Sequence, residues 1–319
     1  MATLQRSVLT DRLSSGLLFI FICILFSACG STETRDNPTQ GSIRIATDEA
    51  YKPVIEALTS AYEGIYPRTN FDVDYLPEQK AILALLQDSV RMVFVTRKLE
   101  GREEEMLLQQ ASTAKTHRIA IDGIALVTSD ANSGSSVSLA ELSGLFKGTI
   151  KNWEQLKDAQ GSGPVSLVFD DANSSNLLYF ARKFGLNDFA GLNIYVAGSH
   201  SGVVDYVKKS PRAIGFVGMN WISDGKETEA IQLSENLNVI GIRLESPDSS
   251  RTVYPFQDDL SNGIYPIARE LYAITREAYP GLGGGLLTYI ARDVGGLIIM
   301  KMGLVPVVPY DRNFILTTE

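Results

Sequence analysis

The chain has 319 residues, of which 45% are apolar and 21% are charged, ordinary values for a globular α/β protein. The formal net charge of −8 disfavours a general nucleic-acid binder, because such proteins carry a basic surface. The length predicts about two domains of ordinary size.

The N-terminus has the features of a secretion signal. Two arginines precede a short apolar run, residues 16–26, which suits a signal-peptide core better than a membrane span. Small residues follow, immediately before Cys29, and this arrangement resembles a bacterial lipobox. We therefore expect a signal peptide over residues 1–28 and a lipid anchor on Cys29. The alternative is an uncleaved membrane anchor.

Residues 29–41 are polar and contain Gly and Pro, which predicts a flexible tether. The other cysteine, Cys23, lies within the predicted signal peptide, so the mature domain would have no disulfide. Either form of the N-terminus places the folded part outside the cytoplasmic membrane. The expected location is the periplasm or cell envelope.

The next part of the chain alternates predicted strands with predicted helices. The strands are 42–47, 70–75 and 91–95, and the helices are 52–62, 80–87 and 100–111. This order is typical of a parallel sheet that helices cover on both faces. Downstream, the predicted strands are 165–169, 213–218 and the C-terminal end of 265–275, and the predicted helices are 174–184, 203–209 and 286–300.

The segment 121–156 is the most distinctive part of the chain. Its first seven residues are an almost continuous apolar strand, as a doubly covered sheet requires. Ser138 and Glu141 then form a capping box that opens a helix, and Gly148 closes it. A Trp-containing loop follows. These residues by themselves predict one α/β unit.

The same segment resembles the DGIA…NW region of phosphate-binding proteins that serve ABC transporters. The motifs AIGFVG, YPIARELYAI and GLVP follow in the family's order. The resemblance covers most of residues 42–306, with gaps around 228–262. It implies a two-lobed α/β fold, the type II periplasmic-binding-protein fold, with two crossover strands as the hinge. Lobe 1 would comprise 42–118 and 264–319, and lobe 2 would comprise 119–263.

Ligands of doubly wound sheets bind at the carboxyl ends of strands, where helix N-termini favour an anion. Three strand-to-helix turns qualify, at 47–50, 95–98 and 170–176, and the resembled family places its ligand residues there. The resemblance therefore implies these ligand-binding residues: Glu49, Ala50, Thr96, Arg97, Asn173, Ser174 and Ser175.

The charges in these turns differ from the family's pattern. Asp170 stands where the family has an arginine, and Glu49 stands near a usual Ser or Thr. A pair of unit charges about 4 Å apart is worth on the order of 4 kcal/mol at an effective dielectric of 20. Exchanging a cation for an anion could therefore cancel a micromolar affinity of about 8 kcal/mol. Arg97 is the natural replacement cation, because its planar fork fits an oxyanion.

Structural roles are open alternatives for several of these residues. Asp48 and Glu49 could cap the first helix, and Asn173 and Ser174 could cap another. Arg97 could form a structural ion pair with Glu49 or Glu78.

Structural roles also fit several other prominent residues. Trp153 and Trp221 fit packing better than ligand stacking. Asp122, in a predicted crossover strand, fits a hinge or hydrogen-bonding role. His117 and His200 lie far apart and lack the spacing of a metal site. Without a nucleophile elbow or a Walker A loop, we expect neither an enzyme nor a cofactor.

The leading functional hypothesis is an extracytoplasmic lipoprotein that captures phosphate or a similar small anion between two lobes for uptake. Its partners would be an ABC permease and, through the anchor, a membrane, and we expect a monomer. One alternative is a different polar solute, bound by the four acids Asp48, Glu49, Glu78 and Asp170. Another is a sensory or interaction module whose site is degenerate.

Overall fold

A mixed β-sheet runs through the molecule and helices cover its faces. The computed structural model describes residues 35–223, 236–246 and 249–308. The predicted signal peptide and the predicted lipidation of Cys29 lie outside the described residues.

The first part of the sheet is parallel. Its elements are β1 (Gly41–Asp48), α1 (Lys52–Ile65), β2 (Thr69–Leu76), α2 (Glu78–Leu86), β3 (Met92–Val95) and α3 (Gly101–Gln109). The strand order is β2–β1–β3, and β1 pairs in parallel with both neighbours. This confirms the alternation of strands and helices predicted from the periodicity. Helix α1 begins at the predicted residue, with a proline in its first turn.

The second part of the sheet begins with a long strand. Its elements are β4 (Lys115–Ser129), β5 (Ser136–Ser138), α4 (Leu139–Phe146), β6 (Ser166–Phe169), α5 (Ser175–Phe184), β7 (Ile194–Val196), α6 (His200–Lys209) and β8 (Ala213–Gly218). The strand order is β4–β8–β6–β7. The predicted capping box is present, because Ser138 Oγ accepts from the Glu141 amide and the Glu141 carboxylate accepts from the Ser138 amide.

The rest of the chain first extends the second part and then returns to the first. The remaining elements are β9 (Leu237–Ser246), β10 (Ser249–Val253), α7 (Gln257–Ser261), β11 (Ala268–Thr275), α8 (Leu282–Ile290), α9 (Asp293–Lys301) and β12 (Val305–Pro306). Strand β11 lies antiparallel between β3 and β4, and β4 continues beyond it to pair with β8. Strands β4 and β11 are thus the two crossover strands of a two-lobed periplasmic-binding-protein-like fold.

Each part of the sheet has apolar cores of its own. In the first part, one cluster lies under α1 and α8 and another lies under α2. In the second part, aromatic rings of Phe146, Phe169, Phe180 and Phe216 pack together, and the last two have centroids 5.0 Å apart. Burying each large apolar side chain contributes roughly 1.5–3 kcal/mol. Separate cores let each part hold its strand ends rigidly.

The C-terminal helix differs from the prediction. Residues 286–300 were expected to form one helix, whereas α8 and α9 are separate and bent by 69°. Arg292 is extended at the junction. A Cβ on Gly295 would lie 2.5 Å from the Ile290 Cα, so glycine permits the close approach of the two helices. The strand predicted at the C-terminal end of 265–275 is present and begins at Ala268, two residues after Pro266.

The C-terminal end of the predicted tether is held against the fold by Asp36 and Pro38. The Asp36 carboxylate pairs with Arg91, accepts from the Tyr279 hydroxyl and accepts from the Leu282 amide at 2.7 Å. The Pro38 carbonyl accepts from the Tyr62 hydroxyl. Polar composition predicted a loose segment here, but a buried carboxylate with three donors fixes it.

Among the described residues, no single helix is long and apolar enough to cross a membrane, although the bent pair α8–α9 passes the same test jointly.

Candidate functional site

Turns from both parts of the sheet meet at the carboxyl ends of β1, β6 and β8. Ser175, at the start of α5, donates to Asp48 Oδ1 at 3.0 Å. Asn220 Nδ2 and Trp221 Nε1, which follow β8, each donate to the Ala50 carbonyl at 3.0 Å. The site therefore joins residues that are more than 120 positions apart in the chain.

A buried arginine from a crossover strand lies at the centre of this site. Arg269 Nε donates to Asp122 Oδ2 at 3.0 Å, and Arg269 Nη1 donates to Ser175 Oγ at 3.0 Å. Ser175 in turn donates to Asp48, so a continuous chain of polar contacts links β4, β11, α5 and β1. Burial lowers the pKa of Arg269, but Tyr51, Asp122 and Asp48 outweigh it and raise the pKa above its ordinary value. The guanidinium is charged.

Three carboxylates of the protein hold the donors of the predicted ligand turns. Asp48 accepts from the Ala50 amide at 2.9 Å. Glu78 accepts from the Thr96 amide at 2.6 Å and from the Thr96 hydroxyl. Asp170 accepts from the Ser174 hydroxyl at 2.5 Å. In each turn, a side-chain carboxylate of the protein thus accepts from a donor of a predicted ligand-binding residue.

These carboxylates repel one another in a buried setting. Asp48, Glu78 and Asp170 are at most 5% exposed. Burial, reinforced by Glu78 and Asp170, raises the pKa of Asp48 to about 7 against the opposing effect of Arg269. Asp48 is therefore partly protonated near neutral pH. Burial raises the pKa of Asp122 as well, and Arg269 opposes that shift.

His200 joins the first turn to the second part of the sheet. Its ring is fully buried and stacks on Trp221, with centroids 5.2 Å apart. Nδ1 lies 3.0 Å from Glu49 Oε2 and 3.7 Å from Asp170 Oδ2. Burial lowers the pKa of His200, but the carboxylates of Asp170 and Glu49 outweigh it, so the net shift is upward.

Glu49, Asp170 and His200 have potential metal-ligand atoms within 4.8 Å of one another. A metal on Nδ1 would require the other ring nitrogen to donate its N–H to an acceptor. Nε2 instead lies 3.3 Å from Asn176 Nδ2, which is itself a donor and also bonds the Phe216 carbonyl. The contacts fit a ring that donates from Nδ1 to Glu49 and accepts at Nε2. This cluster therefore fits a hydrogen-bonded contact better than a metal site.

Several buried acceptors near this site have no hydrogen-bond partner among the described residues. They are Glu78 Oε1, Asn176 Oδ1 and Asn220 Oδ1. Glu78 Oε1 has an ion pair with Arg97 Nε at 3.8 Å. The two asparagine oxygens each cost free energy while they lack a partner, on the order of 1–3 kcal/mol. A ligand that supplies hydrogen-bond donors would recover part of that cost.

The predicted site residues separate into two groups. Ala50, Thr96, Ser174 and Ser175 contribute donors to the carboxylates just described, and Glu49 contacts His200. Arg97 and Asn173 do not join them. Both Arg97 terminal nitrogens donate to Glu103 at 2.8 Å, and Asn173 is exposed. Arg97 Nε lies 3.8 Å from Glu78 Oε1, so the structural ion pair considered from the sequence is present.

Several structural interpretations also agree with the contacts. Asp48 accepts from the Ala50 amide as a cap, and Ser174 caps α5 by accepting from the Asn176 amide. Trp153 is fully buried in the core. Asp122 is a hydrogen-bonding residue, since it accepts from Arg269 and from the Met219 amide.

Sequence reasoning missed Arg269, His200 and Asn220. Arg269 lies within YPIARELYAI, a motif that was used only to establish the resemblance. Its signal was a charged residue inside a predicted strand that also carries apolar residues. His200 and Asn220 gave no local signal, because only the tertiary fold brings them to Glu49 and Ala50.

Two α/β lobes with a buried polar site at their strand ends define the class of periplasmic-binding-protein-like receptors. The chain belongs to the family described as PBP superfamily domain, whose model matches residues 32–294. This is a family of solute-binding receptors rather than enzymes.

Known proteins with related sequences and structures agree with that assignment. The phosphate-binding protein PstS of Bacillus subtilis is 22% identical over 314 residues, covering 93% of this chain and 94% of that protein. A substrate-binding protein of Clostridium perfringens, solved with bound phosphate, superposes with a TM-score of 0.69 at 20% identity, covering 84% of this chain and 100% of that one. An ABC-type phosphate transport receptor of Vibrio cholerae gives 0.62 at 17% identity, covering 83% and 100%.

Proposed function

We propose that this protein is an extracytoplasmic receptor that captures phosphate or a similar small anion and delivers it to an ABC permease. Membership of the solute-binding family and the phosphate-binding function named for its relatives support this proposal. The proposal also keeps the lobe boundaries inferred from the resemblance: 42–118 with 264–319, and 119–263.

The observation that carries the proposal is the chain of polar contacts that joins donors of both lobes, through Asp48 and Ser175, to one buried arginine. Ala50 and Thr96 come from lobe 1, and Ser174 and Ser175 come from lobe 2. Arg269, which lies on a crossover strand, contacts Ser175. Hydroxyls, backbone amides and a guanidinium are the groups that bind tetrahedral oxyanions in proteins.

Capture would follow from contacts that exist only when the lobes are together. Asp48 with Ser175, and Ala50 with Asn220 and Trp221, already join the two lobes directly. A ligand stabilises this arrangement only through additional contacts that it makes in the closed state. An anion would take donors now held by carboxylates, and Arg269 would offset its charge.

Tryptophan fluorescence offers a test. The chain has two tryptophans, one in the lobe 2 core and one, Trp221, bonded across the site to Ala50. Phosphate added to protein stripped of bound ligand should change the emission with a saturable, micromolar midpoint. The Trp221→Phe variant should lose the signal while calorimetry still detects binding, and Trp153→Phe should keep it. No binding at millimolar phosphate would overturn the phosphate assignment.

A second candidate ligand is a polar solute rich in hydrogen-bond donors, such as an amine or a polyol. The buried acceptors Asn176 Oδ1 and Asn220 Oδ1, which have no hydrogen-bond partner among the described residues, favour it. Arg269 would then serve structure only. A library of amines and polyols in a thermal-shift assay tests this candidate. A bound solute stabilises the folded protein by mass action. If one solute stabilises the protein and phosphate does not, that solute replaces the anion as the assigned ligand.

We also propose that Cys29 anchors the protein to a membrane. The lipobox-like segment before it supports this. Wild-type protein should sediment with membranes and the Cys29→Ser variant should not. Equal release of both proteins into the soluble fraction would contradict the anchor.

A further inference from the structure

Asp48 has an unusual position, because it already takes two donors that point toward the site. Its Oδ1 accepts from the Ala50 amide at 2.9 Å and from Ser175 Oγ at 3.0 Å. One donor belongs to each lobe. The carboxylate thus imitates a ligand oxygen at the point where the lobes touch.

The charged groups around Asp48 include more carboxylates than cations. Glu78 and Asp170 act on it as like charges, and Arg269 is the opposing cation. Arg269 is shared, since its Nε and Nη2 lie 3.0 and 2.9 Å from Asp122 Oδ2. His200 and Tyr51 also lie within its field. His200 is committed to Glu49, and the Tyr51 hydroxyl is neutral at physiological pH.

An anion that enters this site adds charge to carboxylates that already repel one another. Asp48 is 3% exposed, so water cannot screen the repulsion well. The least costly response is for one buried carboxylate to become neutral. Asp48 is the candidate, because burial and its acidic neighbours already raise its pKa to about 7.

We propose that the receptor binds its anion together with a proton that Asp48 takes up from solvent. No bond of the ligand breaks. The proton neutralises the Asp48 carboxylate, and the anion then gains access to the Ala50 amide, the Ser175 hydroxyl and Arg269. This inference rests on the proposed function, since it requires that phosphate or a similar anion binds here.

The sign of the coupling follows from linkage. The bound anion raises the proton affinity of Asp48. By linkage, anion binding must then become more favourable as the pH falls. Affinity should therefore fall as the pH rises above about 7, the pKa of Asp48. For one coupled proton, the dissociation constant should rise up to roughly tenfold per pH unit.

Calorimetry of phosphate binding in two buffers of different ionisation enthalpy counts the protons that the complex takes up. Phosphate titrates near the same pH, so the informative quantity is the difference between proteins. At pH 8, wild type should take up about 0.5–1 proton more than Asp48→Asn. The variant keeps an oxygen for Ala50 and Ser175. It should also bind phosphate more tightly than wild type at pH 8.5, by about tenfold.

Two further variants isolate the effect. Asp72→Asn makes the same substitution at an exposed position on β2 and should match wild type. His200→Gln should retain the extra proton, because the proton belongs to Asp48. Phosphate binding with equal proton uptake in wild type and Asp48→Asn overturns the inference and leaves the receptor proposal standing. Absence of phosphate binding in both proteins at every pH overturns both.

Discussion

Arg243 and Arg269 are almost equally buried, at 4% and 5% exposure, but their surroundings differ. All three Arg243 side-chain nitrogens donate hydrogen bonds, to Glu141 and Asp158 at 2.6 Å and to Glu245 at 3.2 Å. Arg269 Nη2 forms an ion pair with Asp122 Oδ2 at 2.9 Å but no hydrogen bond among the described residues. The side-chain oxygens of Asn176 and Asn220, in the same region, have no hydrogen-bond partner there either. The first cluster is complete without a ligand, whereas the second is not.

The two clusters also differ in the direction of their charge balance. The acids around Arg243 are partly exposed, with Asp158 and Glu245 at 44% and 55%, so solvent screens their repulsion. The acids around Arg269 are buried and raise the pKa of Asp48. Proteins commonly keep such perturbed groups at functional sites. On this contrast we propose the Arg269 cluster as the binding site and the Arg243 cluster as a structural brace.

The largest effect should come from removing Arg269. The Arg269→Ala variant leaves Asp122, which is fully buried, as an uncompensated charge. We expect a loss of about 3–5 kcal/mol in the free energy of unfolding, together with loss of phosphate binding. Urea denaturation measures the first effect. A double variant, Arg269→Met with Asp122→Leu, should recover most of the stability but not the binding. If the double variant does not recover stability, Arg269 and Asp122 stabilise the fold by more than their mutual charge compensation.

Neutralising Asp48 should stabilise the protein at alkaline pH. Its folded pKa is about 7, above the usual value near 3.9 for an unfolded chain. Its contribution to stability is therefore present below about pH 4 and is lost as the pH rises to about 7. The free energy of unfolding of the Asp48→Asn variant should exceed that of wild type by about 2–4 kcal/mol at pH 8 and should equal it at pH 4. Parallel stability curves across this range would contradict the raised pKa.

Removing Arg243 should destabilise the fold without affecting the ligand. Its partners can regain water, so the cost should be about 2 kcal/mol, the value of charged hydrogen bonds. Phosphate affinity should stay within twofold of wild type. A tenfold loss of phosphate affinity in Arg243→Ala would contradict a purely structural role for the Arg243 cluster.

The smallest effect should follow from removing Arg97. Its guanidinium is engaged by Glu103 and is not part of the Arg269 cluster, so Arg97→Ala should cost about 1 kcal/mol or less and leave phosphate affinity unchanged. Calorimetric titration of this variant checks the result. Loss of binding would restore Arg97 as the cation of the site, as its sequence position predicted.

The parts of the fold that depend on local patterns were predictable. The strands and helices of the first lobe follow from apolar periodicity, and the α4 capping box follows from Ser138 and Glu141. The break between α8 and α9 was missed, because apolar residues resume directly after Arg292 and Asp293 and no proline marks it. Only the tight packing at Gly295 shows why two helices replace one.

The candidate site was predictable in its turns but not in its chemistry. Strand ends identified Ala50, Thr96 and Ser175, since helix N-termini supply donors there. The cation was assigned to Arg97 by proximity in sequence, whereas its fork is occupied by Glu103. Arg269 reaches the site from a strand about 170 residues later, and tertiary contacts of that kind leave no local pattern.

We propose that the Arg269 cluster binds a small anion between the lobes. The most direct test of this proposal is isothermal titration of phosphate, near neutral pH, into wild type and Arg269→Met after removal of bound ligand. Arg243→Met serves as the matched control. We expect one site per chain with micromolar or tighter affinity in wild type and the control, and none in Arg269→Met. Equal affinity in all three proteins, or no binding in any at millimolar phosphate, would contradict it.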